Sequence, residues 1–439
     1  MNNWARRLLA LGVLLSLPLA AEVRSLTILH TNDLHARLSP LDNGRGGFAV
    51  LASVIQRERA HCTDCILLNA GDLVQGSPVS TIFQGLPVYE IANLLHFDAS
   101  TIGNHEFDYG WMQVRKFIQT ANYPIVSANV TGADGQLLAP HPYVILNVNG
   151  LRVGIIGAIT DDLATLSTPK LLEQWHATPV VTTVRKYAAE LRGKTDLIVL
   201  LGHINGTEES QFLNTVPEIP VLVTGHLHNG LKEARTRDGR ILVRVKSYGE
   251  ELGRLELRVD TDQKAPVSWT WKRIPVDGRE AAPAPDVAAQ VSRWEGEVAR
   301  RVDVPLAISK RRFTARQLKT VLEQAIREET GADIAWINEG GVRDGLPQGQ
   351  LMVRNIWNVM PFDNRIVFGK FKGKDLPAVV IGRSVIDPNR EYTLAVTDFT
   401  AANEGAPDQL HATGLAFGGD GGMLRDVLVD WFRKKKVIE

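Results

Sequence analysis

Between residues 25 and 260, short apolar runs alternate with stretches whose apolar positions recur at helical spacing. The runs begin at 25, 65, 99, 196 and 220 (SLTILH, CILLNA, ASTIG, DLIVLLG and PVLVTG), and each predicts a strand. Helical periodicity predicts helices over 47–59, 86–96, 110–121, 181–193 and 207–215. Further strands are expected at 124–128, 143–149, 152–159, 240–245 and 253–260. Alternation of this kind predicts layered α/β architecture. Strands 143–149 and 152–159 leave no room for a helix between them, and Asn149-Gly150 suits a tight hairpin turn, so part of the sheet is antiparallel. Two stacked mixed sheets flanked by helices fit this pattern better than one doubly wound sheet.

The pattern changes after residue 271. KRIPVDGREAAPAPD (272–286) is rich in proline and charge and reads as a linker. A polar helix is expected over 287–301, and a second, smaller α/β domain over 302–439. That domain contains an amphipathic helix at 315–330, with Leu318, Val321, Leu322, Ala325 and Ile326 on one face, and a strand at 333–338 leading into a glycine turn. At the other end, MNNWARR precedes LLALGVLLSLPLA and AEVRS, the order of a secretory signal peptide over 1–21. Its apolar run is too short to span a bilayer, and no cysteine follows it to carry a lipid. The expected location is therefore periplasmic or secreted, without a stable membrane anchor. The expected domains are 1–21, 22–271, 272–301 and 302–439.

Lys+Arg and Asp+Glu both number 49, which gives no general attraction for a nucleic acid polymer. Cys62 and Cys65 are the only cysteines, too few for a zinc knuckle; in an exported chain they are expected to form a local disulfide.

The strand-like runs end on chemistry. They close on Asp33 and His35, Asp72, Asn104, His203, and His226 and His228. Ligand sites of open α/β sheets form along the carboxyl edge of the strands, so these seven residues are expected in one crevice. Two carboxylates, an amide and four imidazoles suffice for two divalent cations, and the mixed oxygen and nitrogen donors suit Mn, Zn, Fe or Co. Asp72 is the candidate bridge between them, because a carboxylate has lone pairs on both oxygens. In GNHEFD (103–108), His105 is left to face substrate, and Asp108 is placed either to orient it or to cap the next helix. A protonated His105 would stabilise charge on phosphorus oxygens or protonate a leaving alkoxide. Neither a Walker A loop nor a G-x-S-x-G elbow is present.

HTNDLHARL, NAGDLVQGSP, GNHEFD, LLGH and TGHLH resemble the metallophosphoesterase domain of the bacterial periplasmic and animal ecto-5′-nucleotidase family. The resemblance implies a four-layer α/β/β/α metallophosphoesterase sandwich followed by the smaller α/β domain. It also implies that Asp33, His35, Asp72 and His228 hold one metal. Asp72, Asn104, His203 and His226 would hold the other, with His105 and Asp108 as the catalytic dyad.

In the second domain, NEGGVR (338–343) resembles the family's phosphate turn, which implies Asn338 and Arg343 as substrate ligands. MPFDN (360–364) resembles its base clamp and implies Phe362, with Asn364 beside it. Arg312 resembles another phosphate arginine, with Arg311 and Arg316 as competitors, and Asp420 belongs to the GGDG motif at 418–421. Three features depart from the family. Glu339 replaces a glycine. VLEQA stands where a Gly-Asn-Leu helix motif is usual. Gly414 stands where the second stacking aromatic is usual, leaving Phe399 and Phe417 as alternatives and 402–414 as an apparent insertion.

The expected activity is hydrolysis of a small phosphoester, most simply a nucleotide, with nucleotide sugars and cyclic nucleotides open. A thiosulfohydrolase acting on a carrier protein is the alternative enzyme, since such enzymes resemble the same family and need no base clamp. A metal-binding module without turnover is the third reading.

Overall fold

The computed structural model describes residues 22–382 and 385–439; the signal peptide read at 1–21 lies outside the described residues. Two six-stranded mixed sheets form the first domain. The first has the order Ala265–Pro275, Glu251–Asp260, Val23–Thr31, Cys65–Asn69, Ala99–Thr101 and Ile125–Val126. Val23–Thr31 runs parallel to Cys65–Asn69 and antiparallel to Glu251–Asp260. The second has the order Arg235–Arg237, Arg240–Val243, Val221–Thr224, Leu197–His203, Leu151–Ile159 and Tyr143–Val148, with its four central strands parallel.

Alternation within each strand builds the layers. Leu26, Ile28, Ile66 and Leu68 of the first sheet meet Val153, Ile155, Val199 and Leu201 of the second in one buried core. Leu29 and Leu67 point the other way, towards the helix Phe48–Ala60. Ile156, Leu200 and Leu222 of the second sheet are covered by the helices Val180–Leu191 and Gly206–Thr215. Each such side chain contributes roughly 1.5–3 kcal/mol on burial. The result is the expected α/β/β/α stack, with the central strands of both sheets buried on both faces. Cys62 and Cys65 form a disulfide just before the strand Cys65–Asn69.

The second domain holds two three-stranded sheets and the helices Ala315–Thr330 and Leu424–Lys435, which pack on each other. Thr314 caps the former helix in a capping box with Gln317, and Gly331 ends it with φ 73°. The helix Pro285–Val302 lies against Phe48–Ala60 and Pro78–Phe83 of the first domain, with Phe83 and Trp294 in edge contact at 4.9 Å.

Three expectations differ in extent. An unforeseen strand, Ala265–Pro275, enters the stretch read as linker, because Trp269, Thr270 and Trp271 pair with Leu257, Glu256 and Leu255 in turn. The strand expected at 333–338 is only Ile334–Ala335. The apparent insertion is folded: it follows the helix Asp398–Ala402 and buries Asn403, Gln409 and Leu410. Among the described residues no helix is long and apolar enough to cross a membrane.

Candidate metal centre and active site

Five strand ends, three from the first sheet and two from the second, deliver the ligand candidates to one place. Asp33 follows Val23–Thr31, Asp72 follows Cys65–Asn69, and Asn104 follows Ala99–Thr101. His203 is the last residue of its strand, and His226 and His228 follow Val221–Thr224. The loops bend hard. Asp33, His35, Asp72, His226 and His228 all have left-handed backbones, with φ between 48° and 78°. Strain of this kind costs of order 1–3 kcal/mol per residue and persists where surrounding structure over-determines it. Glycines make room: a Cβ on Gly103 would stand 2.1 Å from Asp72 Oδ1, and one on Gly71 2.8 Å from His203 Nδ1.

Ligand atoms of Asp33, His35, Asp72 and His228 lie within 4.8 Å of one another. His35 Nε2 faces His228 Nε2 at 2.9 Å and is 3.8 Å from Asp72 Oδ2; His228 Nε2 is 3.6 Å from Asp33 Oδ1. Burial holds both imidazoles neutral, His35 well below the ordinary histidine value and His228 down to about 3. Neutral nitrogens and carboxylates converging on one point are the donor set of a divalent cation. Asp72 Oδ2, buried and without an aligned hydrogen-bond donor, fits the same role.

On the other side of Asp72, His203 Nε2 is 3.1 Å from Asp72 Oδ2 and 3.1 Å from Asn104 Oδ1. His203 Nδ1 donates to the Ala70 carbonyl at 2.8 Å, which aims Nε2 inward. The His226 ring stands 5.0 Å from that of His203. Asp72 thus sits between two groups of donors. Burial opposes its charge, but His203 and His105 hold it well below the usual carboxylate range.

His105 Nδ1 lies 2.7 Å from Asp108 Oδ2, while its backbone N–H donates to Asp72 Oδ1 at 3.0 Å. Burial alone would lower the imidazole; Asp108 and Asp72 raise it above the ordinary histidine value. Asp108 therefore orients the ring, the first of the two roles its position allowed.

Supporting residues were not singled out in the sequence. Glu106, fully buried, accepts backbone N–H groups from Asp72, Leu73 and Gly103, tying two ligand loops together. Asn32 donates to Asp33 Oδ2 at 2.6 Å and binds both backbone groups of Val245. Arg244 donates to Glu209 and to Asn229, and so braces the loop after His228. Glu106 and Asn32 stand inside the motifs GNHEFD and HTND, which is the signal that could have found them.

A cavity of about 590 Å³ opens over this floor, between the domains. Asn338, Arg343, Phe362 and Asn364 line it, as expected from the second-domain motifs. Arg343 Nε and Nη2 are buried there without partners. Phe399 lines the cavity too, while Phe417 packs on Phe371 at 5.7 Å. The Arg312 and Asp420 expectations are corrected. The Arg312 side chain is 73% exposed beside Asp42, and Asp420 pairs with Arg365 at the surface; neither lines the cavity. A larger, more open cavity of about 670 Å³ lies at the far end of the first sheet, beside Cys62 and Trp269, remote from these groups.

Comparison with known proteins agrees with this geometry. Residues 26–230 match the calcineurin-like phosphoesterase family, and residues 297–381 match the 5′-nucleotidase C-terminal domain. Protein UshA of Yersinia enterocolitica is 25% identical, over 86% of this chain and 85% of that protein. A 5′-nucleotidase precursor from Thermus thermophilus shares the fold with a TM-score of 0.85 and 22% identity, over 95% of this chain and 97% of the other. The sulfate thiohydrolase SoxB from Thermus thermophilus shares it with a TM-score of 0.77 and 16% identity, over 94% of each chain. The chain belongs to the 5′-nucleotidase family, in which a calcineurin-like phosphoesterase domain precedes a 5′-nucleotidase C-terminal domain, and it is a metal-dependent phosphoester hydrolase.

Proposed function

We propose that this chain is an exported hydrolase that holds two divalent cations and releases phosphate from nucleotides. The observation that carries the reading is the position of Arg343: a guanidinium in the cavity wall, over the Phe362 ring, whose buried Nε and Nη2 have no hydrogen-bond partner, above the ligand cluster and beside the His105–Asp108 pair. Asp33, His35, Asp72 and His228 would hold one cation, and Asp72, Asn104, His203 and His226 the other. Mn, Zn, Fe or Co held in these places would supply Lewis acidity at phosphorus and an activated water near neutral pH. Arg343 and Asn338 bind the substrate; the planar fork of Arg343 matches phosphate oxygens. His105, kept protonated by Asp108, donates to the oxygens as charge builds on them. Phe362 and Phe399 provide apolar faces for a base, and Asn364 a polar edge. We divide the chain into the metal-binding domain 22–271, the connector 272–301 and the substrate domain 302–439. Export rests on the apolar segment within 1–21.

The thiosulfohydrolase reading draws on the SoxB-like fold. A cavity walled by both domains and by two phenylalanines suits a small aromatic ligand better than a cysteine carried on another protein. A binding module without turnover would have no use for His105 and Asp108.

The test is phosphate release by the Mn-loaded protein from AMP, ADP, ATP, UDP-glucose, cyclic AMP and p-nitrophenyl phosphate. One nucleotide should exceed the nitrophenyl ester in kcat/KM. Release from the nitrophenyl ester alone would retire the nucleotide reading.

A further inference from the structure

Asp408 enters the cavity from the segment 402–414, the apparent insertion of the second domain. Asn403 ties that segment to the first domain by donating from Nδ2 to the Ser167 carbonyl at 3.0 Å. Asp408 Oδ2 accepts from Asn338 Nδ2 at 3.1 Å, and a Cβ on Gly340 would stand 3.6 Å from the same oxygen. Asp408 Oδ1 accepts from Gln409 Nε2 at 2.9 Å. The carboxylate therefore lies over the glycine turn, in a cavity whose other carboxylates outside the metal centre are engaged. Asp108 holds His105, Asp363 pairs with Arg425, and Asp398 accepts the backbone N–H groups of Arg365 and Phe399. Among the described residues Asp408 has no ion-pair partner, and Arg343 leaves Nε and Nη2 unbonded rather than reaching it.

A carboxylate offers about four acceptor sites, of which two are used here. One Asn338 N–H is also spent on it, so the two residues together present mainly acceptors to the cavity.

We propose that Asp408 determines specificity by reading the base edge of the substrate: it favours nucleotides whose base presents an exocyclic amino group, adenine or cytosine, over those presenting an oxo group at that edge, hypoxanthine or uracil. The inference rests on the nucleotide reading above. An amino group donates to the carboxylate. An oxo group sets lone pairs against it, and the nearest donor on hypoxanthine or uracil is the ring N–H one position along the edge. Stacking on Phe362 and Phe399 is nearly the same within each pair, so AMP against IMP and CMP against UMP isolates the edge.

The experiment is kcat/KM for these four nucleotides with the metal-loaded wild type and with Asp408→Asn. The wild type should prefer AMP over IMP and CMP over UMP by at least about tenfold, and the substitution should bring both ratios close to one. Wild-type ratios near one overturn the inference whether or not the variant folds. A uniform loss on all four substrates in the variant, with the ratios kept, also overturns it, because Asp408 would then only support Asn338. Absence of release from all four by the wild type would instead sink the nucleotide reading beneath it.

Discussion

At His105 two opposing effects meet. Burial disfavours the imidazolium, and Asp108 at 2.7 Å restores it. A rate that needs the protonated ring falls as pH rises through this raised value. Asp108→Asn removes the charge that raises it, so the alkaline limb of the kcat/KM profile should move to lower pH, with a loss on the order of 10²-fold at pH 8. An unmoved limb would show that Asp108 does not set the charge on His105. His30 makes the contrasting case. It lies in the core between the sheets, stacked on Trp271 at 5.2 Å, and neither ring nitrogen has a partner. Burial lowers it from 6.5 to about 3. The unfolded chain takes up that proton below pH 6.5 and the folded chain refuses it, so stability is lost as pH falls, by about 1.4 kcal/mol per unit. His30→Leu should therefore lose less stability than the wild type in urea melts between pH 7 and pH 5; equal losses would contradict this. At this scale the convergence of the seven candidate ligands was legible, because each closes an apolar run. Glu106 was not: its place in GNHEFD marks it, but nothing there distinguishes a carboxylate that faces metal from one that binds backbone N–H groups.

Among the elements, loops at strand ends do most of the positioning. Gly103→Ala would place a methyl group 2.1 Å from Asp72 Oδ1 and push the carboxylate aside. The expected result is a folded protein with metal affinity reduced by about 10–100-fold, read by competition with a chelating dye. Retained affinity would mean that the loop has room to give. The helix Ala315–Thr330 acts on the substrate side. Glu323 accepts the Ile337 N–H at 3.2 Å, and Lys319 donates to the Ile337 carbonyl, so both backbone groups just before Asn338 are held from one helix face. Glu323→Gln should raise KM for the phosphoester more than it lowers kcat, since Asn338 and Arg343 follow from that anchor; an unchanged KM would contradict it. The helix itself was legible to the residue, because Thr314 and Gly331 mark both ends. The strand Ala265–Pro275 was not, because its Lys and Arg sit beside proline and masked the Trp-Thr-Trp pairing pattern.

For the whole molecule, the arrangement of the two domains decides what the motifs mean. Arg37 pairs with Asp344 at 3.1 Å and Thr81 donates to the Pro361 carbonyl at 2.9 Å, so the second domain is seated over the metal loops. That seating brings Arg343 and Phe362 to the cavity and leaves Arg312 and Asp420 outside it. Motif resemblance could not separate these four, because their difference lies in a domain interface formed by residues far apart in sequence. Phe399 illustrates the same limit. It reaches the cavity although the family spacing points to Gly414, since the intervening segment folds away and carries Asp408 in. The central claim is that two cations bridged by Asp72 drive phosphoester hydrolysis. It is tested most directly by titrating metal-free protein with Mn and following phosphate release from AMP. The rate should rise to a plateau at two equivalents per chain, and Asp72→Asn should show no rise at any loading. A full rate at one equivalent or none, or undiminished activity in the variant, would contradict the account.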